Sequence, residues 1–263
     1  MKKQIRLCIL LAMTSAAGIP QAPAAETLVA RLLAGYASIQ TVSCNVRRDS
    51  ESSAANGRTL SRVYYQKPDR IHVENVQPLP RTILADGTNF FSYIPGDPKG
   101  FSRPISQLDT DMLISLRKVP GSAMDHLLRL KDMPETDLPP TPEFPARKGY
   151  DTGKMYAVLS MDSSNRLAQI EFFTGADMKQ RTAHAAYSQF MEASPGVWLA
   201  RLHQTTIQLG SMEQKETSRF DNLIVNQPIA PNLFNASLFF KDVPFVSSMD
   251  QMYPGNEPSP KPE

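Results

Sequence analysis

Histidine and cysteine are the residues in which metal or nucleophilic chemistry would first be visible. The sequence contains no H-E-x-x-H helix, no cysteine pair with zinc-ligand spacing, no G-x-S-x-G turn and no glycine-rich phosphate loop. The four histidines are scattered, and no two of them stand four residues apart on a predicted helix: His72, His126, His184 and His203. A triad assembled from distant residues stays conceivable. The motifs nevertheless favour a protein that is not an enzyme and that has no metal and no cofactor.

Asp86 could serve as a catalytic carboxylate, but its neighbours favour another interpretation. It precedes Gly87 and lies between two predicted strands, at residues 81–85 and 89–93. An Asp-Gly pair between strands is typical of a tight turn. We therefore interpret Asp86-Gly87 as a turn.

The N-terminus predicts the compartment. Three basic residues precede an apolar run at residues 7–13 that is too short to span a bilayer, and Ala22-Pro23-Ala24 fits an A-x-A cleavage site. Cys8 lies inside the apolar run rather than just after it, so no lipid anchor is expected. The pattern predicts a signal peptide at residues 1–24 and a soluble periplasmic protein that begins near Ala25.

Removal of this segment changes the charge and the cysteine count. The formal net charge of +2 would fall to about −1, with 25 basic and 26 acidic residues. Nucleic acid and anionic membranes are therefore not expected partners. Cys44 would be the remaining cysteine, so no intramolecular disulfide can form. It stands on the apolar side of a strand, where we interpret it as a small buried residue rather than a reactive thiol.

The first half of the chain combines one helix with a series of strands. An apolar stripe predicts a helix at residues 26–39. Alternation predicts strands at residues 41–49, 59–66, 70–76, 81–85 and 89–93. The period of two places an apolar and aromatic set on one side of residues 62–95: Val63, Tyr65, Ile71, Val73, Ile83, Phe91 and Tyr93.

The periodicity then becomes helical and returns to alternation. Residues 106–119 and a second segment after Ser122 predict two short amphipathic helices. Residues 132–145 are proline-rich and predict an extended surface loop. The strands predicted after that loop lie at residues 154–161, 167–174, 180–190, 197–209 and 213–225. Residues 229–240 predict a short capping segment anchored by Leu233, Phe234 and Phe239, and residues 241–263 a disordered proline-rich tail.

The apolar side of the predicted sheet has two interpretations. Most such faces form packed core, and periodicity alone favours core. Exported barrels and half-barrels use the same pattern to hold apolar ligands. The physical pattern of this sequence does not decide between a core and a cavity.

Three segments resemble the periplasmic outer-membrane lipoprotein carrier (LolA-like) family. They are Tyr65-Gln66-Lys67-Pro68-Asp69-Arg70-Ile71, then Ile83-Leu84-Ala85-Asp86-Gly87, then Phe91-Ser92-Tyr93-Ile94-Pro95. Residues 167–173, 190–199 and 220–234 resemble the related lipoprotein-sorting proteins. The similarity extends over about residues 26–236.

The resemblance implies a fold and an activity. The fold is mainly β with a helical lid (α+β), an unclosed antiparallel half-barrel at residues 25–240 that covers an apolar cavity. The activity is transport, in which the carrier shields the acyl chains of a lipoprotein, or of another lipid, on the way to the outer membrane. Its partners would be an inner-membrane export complex and an outer-membrane acceptor, and the carrier would be a monomer.

The resemblance also assigns residues. Val63, Tyr65, Ile71, Val73, Phe91 and Tyr93 would form the lipid-binding wall, and Met112, Leu113, Leu116 and Leu127 the lid side. In the family, a basic residue at the turn hydrogen-bonds to the lid and helps to hold the closed state. That position is Lys67 here, where the carrier pattern usually has arginine, and lysine cannot make arginine's planar bidentate contact.

Two other hypotheses stay open. One is a sensory or regulatory member of the same fold that binds a lipid or lipoprotein and signals to a protein partner. Arrangements of that kind add a second folded domain, whereas this chain has a short tail. The other is an exported enzyme, for which no constellation of residues is found.

Overall fold

The computed structural model describes residues 26–52, 56–248 and 251, and its strands form one sheet. The predicted signal peptide and residues 252–263 of the predicted tail lie outside the described residues. The described strands are β1 (Thr41–Ser52), β2 (Asn56–Gln66), β3 (Arg70–Gln77), β4 (Arg81–Asp86), β5 (Asn89–Tyr93), β6 (Gly100–Pro104), β7 (Glu135–Leu138), β8 (Ala146–Asp151), β9 (Tyr156–Met161), β10 (Leu167–Phe173), β11 (Arg181–Ser194), β12 (Val197–Leu209), β13 (Met212–Val225) and β14 (Phe245–Val246).

The sheet is built from two meanders that meet at β1. The strand order is β14-β6-β5-β4-β3-β2-β1-β13-β12-β11-β10-β9-β8-β7. Neighbouring strands are antiparallel, except that β14 pairs in parallel with β6. The two end strands do not pair with each other, so the sheet is open. The predicted mainly β, unclosed fold is confirmed.

The segment 132–145 was predicted to be a loop, and here the prediction was wrong in part. Glu135–Leu138 forms β7, an edge strand between Pro134 and Pro139 that pairs with β8 on one side only. Prolines are tolerated at strand ends and at sheet edges, because no ladder bond is lost there. β6, β8 and β14 were not predicted from the sequence either.

The helices are short and lie on one face of the sheet, apart from the C-terminal ones. They are α1 (Leu28–Ala37), α2 (Thr110–Arg117), α3 (Met124–Leu130) and α4 (Ala236–Phe239), with 3-10 turns at Ile105–Gln107 and Pro231–Phe234. The predicted helix at residues 106–119 begins later because Asp109 caps α2, its Oδ1 accepting a hydrogen bond from the Met112 backbone 2.8 Å away.

Apolar side chains between the sheet and the helices form two clusters. The larger one packs α1, α3 and the 119–123 linker against the centre and the second half of the sheet. The smaller one lies beneath α2 and contains Ala85, Ile105, Leu108 and Leu116. We call the helix-covered face the inner face and the opposite face the outer face.

The C-terminal segment at residues 229–248 covers part of the outer face. The Phe239 ring packs 4.3 Å from the ring of His72, and Phe240 and Phe245 pack against Phe91. At Gly100 a Cβ atom would lie 2.4 Å from the Phe245 ring, so glycine is what lets β14 approach β6. Ordered chain therefore continues into the segment predicted as a disordered tail, at least to residue 248.

Candidate functional site

The inner face of β2 and β3 carries the first four residues of the predicted wall. Val63 pairs with Val73 and Tyr65 with Ile71, so these side chains share one face. Tyr65 and Val63 belong to the larger apolar cluster. Ile71 contacts both clusters and therefore sits where α2 and α3 meet over the sheet.

Phe91 and Tyr93 were predicted to lie on the same face, and this prediction was wrong. Leu84 pairs with Phe91 and Thr82 with Tyr93, which places both aromatic rings on the outer face. In the β4–β5 hairpin, odd-numbered residues of β4 lie opposite even-numbered residues of β5. The prediction had assumed that odd-numbered residues of both strands share a face, and an offset of one residue places them on opposite faces. Phe90 takes the expected inner position, where it packs against the cluster beneath α2.

The predicted lid residues lie on the helices over this face. Leu116 is buried in the smaller cluster, with Met112 and Leu113 packed beside it. Leu127 of α3 is fully buried in the larger cluster. Leu127 shares the larger cluster with Val63 and Tyr65. The three residues of α2 belong to the smaller cluster, which Ile71 also contacts.

Lys67 contacts α1 rather than α2. Its Nζ donates hydrogen bonds to the backbone carbonyls of Ala37 at 2.7 Å and Tyr36 at 3.3 Å, at the C-terminal end of α1. Partial burial lowers the pKa of Lys67. A cation at this end of a helix is favoured by the helix dipole and by the unpaired carbonyls. Lys67 thus holds the end of α1 to the β2–β3 turn.

The same turn is joined to α2 by a contact that the sequence analysis missed. The guanidinium of Arg117 meets Asp69 in a bidentate ion pair, with Nε–Oδ1 2.6 Å and Nη2–Oδ2 3.1 Å. The Tyr65 hydroxyl donates to the Arg117 carbonyl at 3.2 Å. The pair spans 48 residues of sequence, and no local pattern signals a contact at that separation.

The link between α2 and α3 also consists partly of ion pairs. Arg129 of α3 meets Asp111 of α2 at 2.6 Å, with both side chains largely exposed. Lys118, just after α2, meets Asp125 of α3 at 2.7 Å. The two lid helices therefore form one layer whose outer contacts are polar.

A partly open cavity of about 120 Å³ lies between α1 and the turn ends of β9–β12. Leu32, Tyr36, Phe190 and Trp198 form apolar parts of its wall, and Arg31 and Arg166 also line it. At Gly35 a Cβ atom would lie 3.2 Å from Val197, so the glycine allows α1 to lie close to β12. None of these residues was among the predicted site residues.

Histidines line a second cavity between α3 and strands β11–β13. This cavity, of about 230 Å³, is bordered by His126, His203, Lys118 and Asp125. Burial lowers the pKa of His203 to about 3, and the positive charge of Lys118 acts in the same direction. The Nε2 atom of His203 is shielded from solvent and has no hydrogen-bond partner in the described part of the chain. His203 is therefore neutral at ordinary pH.

Cys44 lies in the apolar core rather than at the surface. Cys44 is buried, and burial raises the pKa of its thiol to about 12, as expected for a small core residue. Within residues 26–52, 56–248 and 251, no group of three or more histidine, cysteine, aspartate or glutamate side chains is placed to hold a metal ion. No helix in the described residues is long and apolar enough to cross a membrane.

The fold and the site together define an open antiparallel half-barrel whose apolar inner face is covered by short helices. Among solved structures, this arrangement is similar to a domain from Vibrio parahaemolyticus described as an outer membrane lipoprotein-sorting protein domain. The TM-score is 0.51 at 10% identity, over 80% of this chain and 97% of that one. The resemblance inferred from the sequence is thus confirmed at the level of the fold.

Two further structures match at lower scores. A LolA superfamily protein from Nitrosomonas europaea has a TM-score of 0.49 at 15% identity, over 79% of this chain and 97% of that one. A DUF1329 family protein from Desulfovibrio piger has a TM-score of 0.47 at 10% identity, over 79% of this chain and 98% of that one. No protein-family model and no curated protein sequence matches the chain.

Proposed function

We propose that this protein is a periplasmic carrier that binds the acyl chains of lipoproteins, or of another lipid, and moves them towards the outer membrane. The acyl chains would lie between the inner face of β2–β5 and the lid helix α2. The proposal is supported by the fold, by the apolar inner face and by the sorting function in the description of the similar Vibrio domain. On this proposal the protein is not an enzyme.

The observation that carries the proposal is the way in which α2 covers the sheet. The cluster beneath α2 is small, and three of its side chains, Ile71, Met112 and Leu113, are only half-buried. The cluster beneath α1 and α3 is larger and contains fully buried strand residues such as Ile170 and Leu199. Removing α2 would therefore expose an apolar surface without opening the main core.

Displacement of α2 would break identifiable contacts. They are the Asp69–Arg117 ion pair, the Tyr65 hydrogen bond to Arg117 and the Arg129–Asp111 pair. Exposed ion pairs contribute about 0–1 kcal/mol each. Each CH₂ group of a bound acyl chain contributes about 0.8 kcal/mol, so a few carbons offset the loss of these polar contacts. Further carbons would replace the apolar contacts of Leu116 with the sheet. Return of α2 to the sheet would favour release.

Apolar cargo and site can be tested together. Protein purified from its native periplasm should carry acylated material that is detectable by mass spectrometry. The Ile71→Glu variant should stay folded by circular dichroism and lose the binding of an apolar fluorescent probe, because the charge would stand in the acyl-chain path. The matched variant Ile170→Glu should unfold, because the charge would be buried in the main core.

Two results would contradict the carrier. One is a purified protein with no bound lipid and no probe binding. The other is unfolding of Ile71→Glu to the same extent as Ile170→Glu, because Ile71 would then be ordinary core. The proposed partners, an inner-membrane export complex and an outer-membrane acceptor, and the monomeric state follow from the carrier hypothesis and would fail with it.

A further inference from the structure

The cavity between α1 and β11–β12 has the size and lining of a small-ligand site. Its volume of about 120 Å³ is close to that of cavities that hold one benzene ring, roughly 150 Å³. Its floor is closed by buried side chains, among them Met161 and Leu167. The aromatic rings of Tyr36, Phe190 and Trp198 line it. An apolar body of about six carbons matches this space.

The opening of the cavity carries positive charge. Arg31 lines the cavity, is exposed, and has no ion-pair partner in the described part of the chain. Arg166 lies over the rings of Phe190 and Trp198, at 4.6 and 5.4 Å from their centroids. Asp162 holds the guanidinium of Arg166, with its Oδ2 2.8 Å from Nε and 2.7 Å from Nη2. The charge of Arg166 is thus compensated, and that of Arg31 is not.

We propose that this cavity binds a small carboxylate whose apolar body has about six carbons. The body would lie among Tyr36, Phe190 and Trp198, and the carboxylate would pair with Arg31. A guanidinium offers the planar pair of donors that suits a carboxylate. The site goes beyond the proposed carrier function, because it exists with α2 in place and its ligand is short and charged.

The chain offers an internal reporter for this site. Trp198 is the single tryptophan of the sequence and lines the cavity. Its fluorescence should change on titration with hexanoate, and hexanoate should bind about threefold to fivefold more tightly than hexanol, since an ion pair with an exposed guanidinium adds to a similar apolar contact. In Arg31→Gln the affinity for hexanoate should fall about threefold to fivefold, while the affinity for hexanol stays unchanged. Arg70→Gln removes the same charge from the exposed start of β3 and should change neither affinity.

The outcomes separate this proposal from the carrier. Equal affinities for hexanoate and hexanol, or no change of Trp198 fluorescence with either, would overturn the carboxylate site. So would an unchanged hexanoate affinity in Arg31→Gln. Hexanoate binding that survives in Ile71→Glu, a variant expected to lose the apolar probe, would support the carboxylate site as distinct. Loss of hexanoate binding together with probe binding in folded Ile71→Glu would mean that the cavity is part of the acyl-chain site.

Discussion

The two halves of the sheet are covered by helices in different ways. In the second half, β8–β13, the helices α1 and α3 pack onto fully buried strand residues such as Leu159, Ile170 and Leu199. In the first half, β2–β6, α2 rests on a small cluster with half-buried members. The first half is also covered on its outer face by the C-terminal segment. It therefore keeps its sheet packed on one side even if α2 leaves the other.

The two halves of the sheet differ in how firmly their helices are held. Burial of apolar side chains in the second half supplies a core that cannot open without unfolding. The lid helix of the first half is held at its rim by the Asp69–Arg117 and Arg129–Asp111 pairs. Segments with few buried contacts open at a lower free energy than the whole molecule. The proposed carrier function would use both properties, and they reside in different halves of the sheet.

The largest loss of stability is expected when a side chain of the main core is shortened. Ile170→Ala should lower the free energy of unfolding by about 2–5 kcal/mol, because it leaves a cavity among packed side chains. Urea denaturation followed by circular dichroism measures the change. In the first half, Leu113→Ala of α2 should lower it by about 1 kcal/mol or less, because Leu113 is half-buried. Equal losses at the two positions would mean that the halves do not differ in packing.

Acid should act on the second half through His203. Its pKa is about 3 in the folded protein, whereas an unfolded chain has the ordinary value near 6.5. Protons therefore bind the unfolded state first as the pH falls below about 6.5, and folding stability is lost between that pH and about 3. His203→Gln should reduce the loss between pH 7 and 4.5 by about 2 kcal/mol, measured by urea denaturation at both pH values.

The matched control for this titration is His184→Gln on the neighbouring strand β11. Burial also lowers the pKa of His184, but the residue is less deeply enclosed. Its replacement should remove much less of the pH dependence. If the two variants behave alike, burial of His203 between α3 and strands β11–β13 is not the cause of the pH dependence.

The smallest expected effect on stability is at the rim of the lid. Asp69→Asn breaks the ion pair with Arg117 and should lower the free energy of unfolding by less than about 1 kcal/mol. Amide hydrogen exchange in α2 should nevertheless become faster, while exchange in α3 and β10 stays unchanged. Asp162→Asn, which breaks a similar pair in the second half, should leave exchange in α2 unaffected. Faster exchange throughout the chain in Asp69→Asn would contradict a separately mobile lid.

Periodicity predicted most of the long elements. Burial alternates along parts of β1, β2 and β11, and α1 has an apolar stripe, so one-dimensional patterns suffice for them. β9 is buried along its whole length, and an apolar run between turn signals predicted it. β7 and β8 were not predicted because both strands are rich in charged residues and show no alternation of apolar and polar residues. Lys148 of β8, for example, is paired with Glu135 and Asp137 of β7. β14 has two residues, which is too short for any period to show.

The candidate site was predicted less completely, for geometric reasons. Odd-numbered residues of β2 lie opposite odd-numbered residues of β3, which places four predicted residues on the inner face: Val63, Tyr65, Ile71 and Val73. Phe91 and Tyr93 do not lie there, because the pairing shifts by one residue across the β4–β5 turn. The Asp69–Arg117 pair and the cavity at Trp198 depend on contacts between distant segments. Such contacts require the packing of the whole sheet and leave no periodic trace.

The end strands of the open sheet carry a consequence for self-association. An unclosed sheet has two edges with unpaired backbone groups, which can pair with the edge of another molecule. Here one edge strand, β7, has four residues and stands beside charged side chains, and the other, β14, has two. Strands this short offer little length for pairing between molecules. The sheet can therefore stay unclosed without presenting a long template for fibril growth.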